Sequence, residues 1–136
     1  MRYLLTSLKK ALLSQVTPQT SPEQRLMFIV EANFSRIQQQ SNNTKTWLSF
    51  WAHSMHDAQL HRLQNVNSKR LFSNLLSSFK QLMSDSDANL AAELSAAMID
   101  GLWLRAVLSK SDQDQFENCE RLAKDYIRSL IKQYGA

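Results

Sequence analysis

Apolar residues recur every three or four positions along most of the chain, a pattern typical of amphipathic α-helices. Ser21-Pro22-Glu23-Gln24 combines an N-cap serine, a proline at the first helical position and a glutamine three residues after the cap, so a helix should begin there. The spacing predicts an all-α domain of six helices covering residues 1–136: residues 1–16, 22 to about 39, a short helix around 47–52, 57–83, 88–109, and a last helix capped by Asp112.

The helix predicted over residues 88–109 is apolar on two opposite faces. One face carries Leu90, Ala91, Leu94, Ala97, Met98, Gly101 and Leu108, and the other carries Ala92, Ala96, Ile99, Trp103, Ala106 and Val107. A helix that is apolar on both sides is expected to be buried on both sides. In a chain of this length, we expect the second covering surface to come from another copy of the chain.

The last helix carries a further apolar seam whose members alternate at spacings of three and four, as in helices that pack nearly parallel or antiparallel. Together with its predecessor it predicts a homodimer in which two helices from each subunit form a four-helix bundle. The expected interface residues are Leu94, Met98, Gly101 and Arg105 on the central helix, and Phe116, Cys119, Ala123, Tyr126 and Leu130 on the last.

Composition supports a single helical domain, since 43% of the 136 residues are hydrophobic and only two are Gly and two Pro. No apolar stretch is long enough to span a bilayer, and we expect no signal peptide and no membrane partner. The single cysteine, Cys119, cannot form an internal disulfide and fits a reducing cytosol. The net charge of +4 permits an acidic partner without requiring one.

The sequence shows none of the motifs that are typical of catalytic sites. There is no glycine-rich phosphate loop, no thiolate motif and no paired carboxylates on one face, so we expect no enzyme, no catalytic residue and no cofactor. His53, His56 and His61 lack the spacing of a zinc site, and we expect no metal there.

Asp100 and Trp103 lie three residues apart and would be neighbours on one helix. A carboxylate beside an indole can form a binding site for an organic cation. Asn33 lies in an apolar stripe beside Phe34. It is either a core amide satisfied by a neighbouring backbone group or a polar group facing a ligand. Trp47, Phe50 and Trp51 are either core residues or walls of an aromatic cage.

Three segments resemble the BetI-type repressors, a branch of the TetR family. They are residues 47–56 (Trp-Leu-Ser-Phe-Trp-Ala-His-Ser-Met-His), 61–75, and 99–105 (Ile-Asp-Gly-Leu-Trp-Leu-Arg). Asp-Gly-Leu alone recurs widely in TetR-type domains, whereas its combination with Trp-Leu-x-Phe-Trp-Ala is more specific to this branch. The resemblance extends over nearly the whole chain.

The resemblance implies a C-terminal effector-binding and dimerisation domain whose last two helices form the dimer bundle. Operator DNA would be bound only through an N-terminal helix-turn-helix domain that these residues lack, with residues 1–16 as the first effector-domain helix. It also implies a choline-like quaternary ammonium effector and control of glycine betaine synthesis. The candidate ligand-binding residues are Asn33, Phe34, Trp47, Phe50, Trp51, Asp100 and Trp103.

Two alternatives stay open from sequence. The same pocket could respond to another organic cation or a hydrophobic ligand, since aromatic walls with one acid suit both. The chain could instead be a stand-alone helical adaptor that dimerises, which would explain the absence of a DNA-reading segment.

Overall fold

The computed structural model describes residues 20–34, 49, 52–53, 56–108 and 113–135. Within these ranges the chain forms four long helices and no strand, which confirms the all-α class. They are α1 (Pro22–Asn33), α2 (Ala58–Phe79), α3 (Asp85–Leu108) and α4 (Gln113–Tyr134). The helix predicted over residues 1–16 lies outside the described residues, as does most of the short aromatic helix, of which Ser49, Ala52 and His53 are helical.

The start of α1 is the capping box expected from the sequence. The Ser21 hydroxyl accepts a hydrogen bond from the Gln24 amide at 3.2 Å, and the Gln24 side chain accepts one from the Ser21 amide at 3.1 Å. The helix ends at Asn33, earlier than the expected end near residue 39. Phe34 leaves the helical conformation, while its amide still donates to the Val30 carbonyl at 3.1 Å.

The break between α2 and α3 also falls earlier than expected. α2 ends at Phe79, and residues 80–83 form the turn that was expected to belong to the helix. The Ser84 hydroxyl accepts a hydrogen bond from the Asp87 amide at 3.3 Å, so Ser84 caps α3 and the helix begins at Asp85. The two acids of the first turn, Asp85 and Asp87, favour this end of the helix dipole.

α3 is the central helix, because it packs against both α2 and α4 while α1 contacts all three. The shared core contains buried side chains from every helix: Leu26, Ile29, Val30 and Phe34 at α1, Leu75 and Phe79 on α2, Ala88, Ala92, Ile99, Trp103 and Ala106 on α3, and Phe116, Ala123 and Ile127 on α4. None of the described helices is long and apolar enough to cross a bilayer.

An ion pair joins the first and last of these helices. Lys124 Nζ of α4 lies 2.8 Å from Glu31 Oε1 of α1, and 3.8 Å from Glu120 Oε2 one turn earlier on α4. Burial raises the pKa of Glu120, and the Lys124 charge opposes that rise. The half-buried cluster thereby holds α1 in position across α4.

Candidate functional site

Asp100 is a largely desolvated carboxylate on α3. Burial raises its pKa from 3.8 to about 6. Among the described residues it has no ion pair and no hydrogen-bond donor. An acid that loses hydration without gaining a partner is destabilised in its charged form. The position therefore provides a negative charge that a cation could neutralise.

Trp103 and Phe34 are the two described aromatic residues of the candidate ligand site, and both are buried. Trp103 follows Asp100 by three residues on α3, so the indole and the carboxylate occupy neighbouring positions on the helix surface. Phe34 and Trp103 belong to the same core cluster, although they are far apart in sequence. Of the predicted aromatic set, Trp103 is thus a helical neighbour of the acid, and Phe34 shares the core cluster of Trp103.

Asn33 is the half-buried last residue of α1, and its side chain makes one hydrogen bond with the described residues. Its Nδ2 donates to the Ile29 carbonyl at 2.8 Å, so the amide nitrogen is satisfied by backbone, as the core interpretation expected. No described residue donates to its Oδ1. The oxygen can thus still accept a hydrogen bond from a ligand hydroxyl.

Trp47, Phe50 and Trp51, the other candidates for the ligand site, lie outside the described residues. One buried polar group on α3 was missed from sequence. Ser95 of α3 is completely buried, and its hydroxyl meets no hydrogen-bond partner among the described residues. It lies one helical turn before Ile99, and a serine among the alanines of α3 gives no periodic signal that would single it out.

The histidines show no metal-site geometry in the part of the chain that is described, where no three potential ligands cluster. His53 Nδ1 lies 2.7 Å from the Ser49 carbonyl, a contact along one short helix.

The two apolar faces of α3 have different environments in a single chain. The face with Ala92, Ile99 and Trp103 lies in the core. The opposite face is exposed along a stripe formed by Leu90, Leu94, Ala97 and Gly101, with Arg105 beside it. Leu90 and Leu94 are 42% and 38% exposed. Ala91, which the helical wheel placed with this stripe, is buried instead.

The apolar seam of α4 faces the core of its own chain, which corrects part of the expected dimer interface. Phe116, Cys119, Ala123 and Leu130 are buried against the other helices of the same chain, and Ala123 is only 1% exposed. Side chains covered in this way have almost no area left for a second subunit. Of the expected residues on α4, only Tyr126 keeps partial exposure.

A different stripe of α4 is exposed or half-buried, and none of its own residues is charged. It consists of Gln115, Asn118, Leu122 and Tyr126 and continues through Ser129 and Gln133, with Leu122 42% exposed. We call this set the uncharged stripe. Charged residues lie along its edge: Arg121 Nη2 donates a hydrogen bond to Asn118 Oδ1, and Arg128 pairs with Asp125. Leu122 was missed because it stands between charged and small residues, outside the apolar seam.

The uncharged stripe of α4 and the exposed stripe of α3 lie on two helices that pack against each other. Burial raises the pKa of Cys119 on α4, and the positive charge of Arg105 on α3 opposes that rise. Consecutive helices joined by a short segment run antiparallel.

Gly101 lies inside α3, where a glycine is less favourable than an alanine by about 1 kcal/mol. A Cβ built at this position meets no atom of the described residues within 4 Å, and the residue is exposed. The packing of the described chain therefore does not require a glycine here.

The sequence of the chain matches a known family of regulators. A family model described as the C-terminal part of BetI-type transcriptional repressors matches residues 22–132. "HTH-type transcriptional regulator BetI 2" of Chromohalobacter salexigens is 43% identical over 137 residues, covering 99% of this chain and 66% of that protein. "HTH-type transcriptional regulator BetI" of Serratia proteamaculans is 46% identical over 134 residues, covering 97% and 67%.

The BetI regulator of Pseudomonas aeruginosa is 46% identical over 140 residues, covering 99% of this chain and 70% of the relative. The chain thus spans about two thirds of the length of these relatives. A crystal structure of a TetR transcription regulator from Haloarcula marismortui superposes with a TM-score of 0.79 at 20% identity, covering 94% of this chain and 73% of that one, and supports the fold. With the family model matching most of its length, the chain belongs to the BetI-type transcriptional repressors of the TetR family and carries their C-terminal domain.

Proposed function

We propose that this domain senses a choline-like quaternary ammonium ion and dimerises through the exposed faces of α3 and α4. The single observation that carries the effector half of the proposal is the Asp100 carboxylate, which is desolvated and has no counter-charge among the described residues. The dimer half rests on the exposed stripe of α3 beside the uncharged stripe of α4.

The chemistry of choline matches the groups on α3 and α1. A quaternary ammonium has no N–H, so it is recognised by aromatic faces and by a carboxylate at contact distance. Trp103 and Phe34 would supply aromatic faces, and Asp100 would supply the charge. Asn33 Oδ1 would accept the hydrogen of the choline hydroxyl. Trp47, Phe50 and Trp51 are proposed as further walls.

In the proposed mechanism, the effector changes the relative stability of two arrangements of a dimer. A relative is named an HTH-type transcriptional regulator, and a helix-turn-helix domain joined to each subunit would present two DNA-reading heads at a fixed spacing. A ligand that prefers one arrangement by its contacts with Asp100 shifts the population toward it. Release of operator DNA would follow from that differential affinity.

A titration with choline, followed by tryptophan fluorescence, tests the effector proposal. We expect a saturable change in emission, and we expect Asp100→Asn to weaken binding at least tenfold. Glu93→Gln, which removes an exposed acid from the same helix, is the matched control and should bind as the wild type does. Absence of any response up to tens of millimolar choline would exclude choline as the effector.

A second candidate effector is another organic cation or a lipophilic ligand, because the buried aromatic side chains of Phe34 and Trp103 suit any apolar group. A thermal-shift panel separates these classes, since a ligand that binds only the folded state raises its melting temperature by mass action. Choline, betaine, larger quaternary amines and uncharged isosteres of choline form the panel. A response to the uncharged isostere alone would replace the cation with a hydrophobic ligand.

A further inference from the structure

The outer face of α2 carries positive charge that no acid of the same helix balances. No Asp or Glu occurs between Asp57, just before α2, and Asp85 at the start of α3, whereas this segment contains two arginines and two lysines. One line of positions on α2 points away from the core residues Leu75 and Phe79. We call it the basic face, and all its members are exposed: Arg62, Val66, Lys69, Arg70, Ser73 and Ser77.

The cations of the basic face have no counter-charge in the part of the chain that the structure describes. None of the ion pairs there involves Arg62, Lys69 or Arg70. The last helix differs, because α4 carries as many acids as basic residues, and Lys124 and Arg128 each contact a carboxylate. Positive charge is thus balanced along α4 and unbalanced along α2, where it attracts anions.

The whole sequence shows the same separation of charge. Residues 1–84 contain ten Lys and Arg against three Asp and Glu, which gives a net charge of +7. Residues 85–136 contain six against nine, which gives −3. An asymmetry of this kind between two parts of a chain is typical of proteins that bind a polyanion. The basic face of α2 is therefore the exposed surface on which such a partner would bind.

The composition of the basic face favours the phosphate backbone of duplex DNA over other polyanions. Arg, Lys and Ser side chains commonly contact phosphate oxygens, and hydroxyls of Ser73 and Ser77 continue the line of cations. A helix that lies on a membrane inserts large apolar residues, and an interface with an acidic protein needs an apolar centre. The basic face offers only Val66 for either purpose, since Leu75 and Phe79 are buried in the core.

We infer that the basic face of α2 binds the phosphates of duplex DNA without reading their sequence. From Arg62 to Ser77 the face is about 22 Å long at 1.5 Å per residue. Duplex DNA carries one charge per about 1.7 Å of its axis, so each of the three cations can contact a separate phosphate. The contact belongs to this domain and is distinct from that of a helix-turn-helix domain.

Fluorescence anisotropy of a labelled duplex of mixed sequence tests the inference with the 136-residue chain. Three phosphate contacts should give a plot of the logarithm of the binding constant against that of the salt concentration with a slope of about −3. Combining Arg62→Gln, Lys69→Gln and Arg70→Gln should weaken binding about tenfold or more at roughly 20 mM KCl and bring the slope close to zero.

A second triple variant removes the same amount of charge from another helix. Arg121→Gln, Arg128→Gln and Lys132→Gln change exposed residues of α4, so this variant is the matched control and should bind DNA as the wild type does. Circular dichroism should show equal helicity for the wild type and both variants, because every substituted side chain is exposed.

Three outcomes would overturn the inference. An equal loss of affinity in the two triple variants would show that net charge alone governs binding. Absence of wild-type binding at roughly 20 mM KCl, where phosphate contacts are strongest, would show that the face does not bind DNA. Phosphatidylserine vesicles are the parallel probe. If the wild type bound vesicles but not DNA, and the α2 variant bound neither, the basic face would be a membrane-binding surface.

Discussion

The Asp100 carboxylate destabilises the folded domain, because no interaction with the described residues compensates for its desolvation. Its pKa of about 6 lies above the unfolded value of 3.8 because burial removes water from the charged form. Since folding favours the protonated acid, the penalty is absent below the unfolded pKa. It grows as the pH rises toward 6 and is complete above that value. A residue that weakens the fold at neutral pH is more readily explained by ligand binding than by packing.

Asp100→Asn should therefore stabilise the effector-free domain at pH 7.5. The expected gain is on the order of 2–3 kcal/mol in the free energy of unfolding, at about 1.36 kcal/mol per pKa unit. The gain should shrink steadily as the pH falls from 6 to 4. Urea denaturation of both proteins at pH 4.5 and pH 7.5 measures it. A variant that is equally or less stable than the wild type at pH 7.5 would show that Asp100 has a structural partner.

The same titration predicts a pH dependence for binding of a cation. Only the ionised carboxylate attracts a quaternary ammonium, and at pH 5, one unit below its pKa, about one Asp100 in ten is ionised. The dissociation constant for choline should thus be about tenfold larger at pH 5 than at pH 8. Fluorescence titrations at the two pH values measure the ratio. In Asp100→Asn the ratio should fall to about one, and a persistent tenfold ratio in that variant would assign the effect to another group.

At the scale of the helices, local chemistry predicted the start of α1 better than its end. Ser21 and Gln24 form the expected capping box because both partners are close in sequence. The end of α1 depends instead on Phe34, which is pulled into the core and leaves the helix, a long-range effect invisible to periodicity. Periodicity also predicted the apolar seam of α4, but it does not indicate which residues pack against that seam. In the structure these are core residues of the same chain.

The ion pair between Glu31 and Lys124 should contribute a modest coupling between α1 and α4. Both side chains are partly exposed, so water screens the 2.8 Å contact. A double-mutant cycle with Glu31→Gln and Lys124→Gln should give a coupling free energy of about 0.5–1 kcal/mol by thermal denaturation. High salt should reduce it. The cycle with Arg128→Gln and Asp125→Asn, an exposed pair within α4, is the control and should give a smaller value.

At the scale of the whole molecule, α3 connects the two halves of the proposed function. Asp100 and Gly101 are consecutive residues, one on the flank with the buried charge and one on the open stripe. The two-sided apolar pattern of this helix was evident in the sequence. The sequence did not show that one face is buried and the other exposed, because this depends on how α1, α2 and α4 pack around α3. In the proposed function, effector contacts and subunit contacts are therefore separated by a single helical position.

Adjacent substitutions on α4 separate the surface that meets a partner from the core of one chain. Leu122→Glu places a charge on the exposed uncharged stripe, so the subunit should keep its helicity and melting temperature while the dimer dissociates. Ala123→Glu forces a charge into a position that is 1% exposed, and it should unfold the domain, since an unpaired buried charge costs several kcal/mol. Circular dichroism and sedimentation velocity on both variants measure the two outcomes. If Ala123→Glu gave a folded monomer and Leu122→Glu left the dimer intact, the subunits would contact each other through the apolar seam and not through the uncharged stripe.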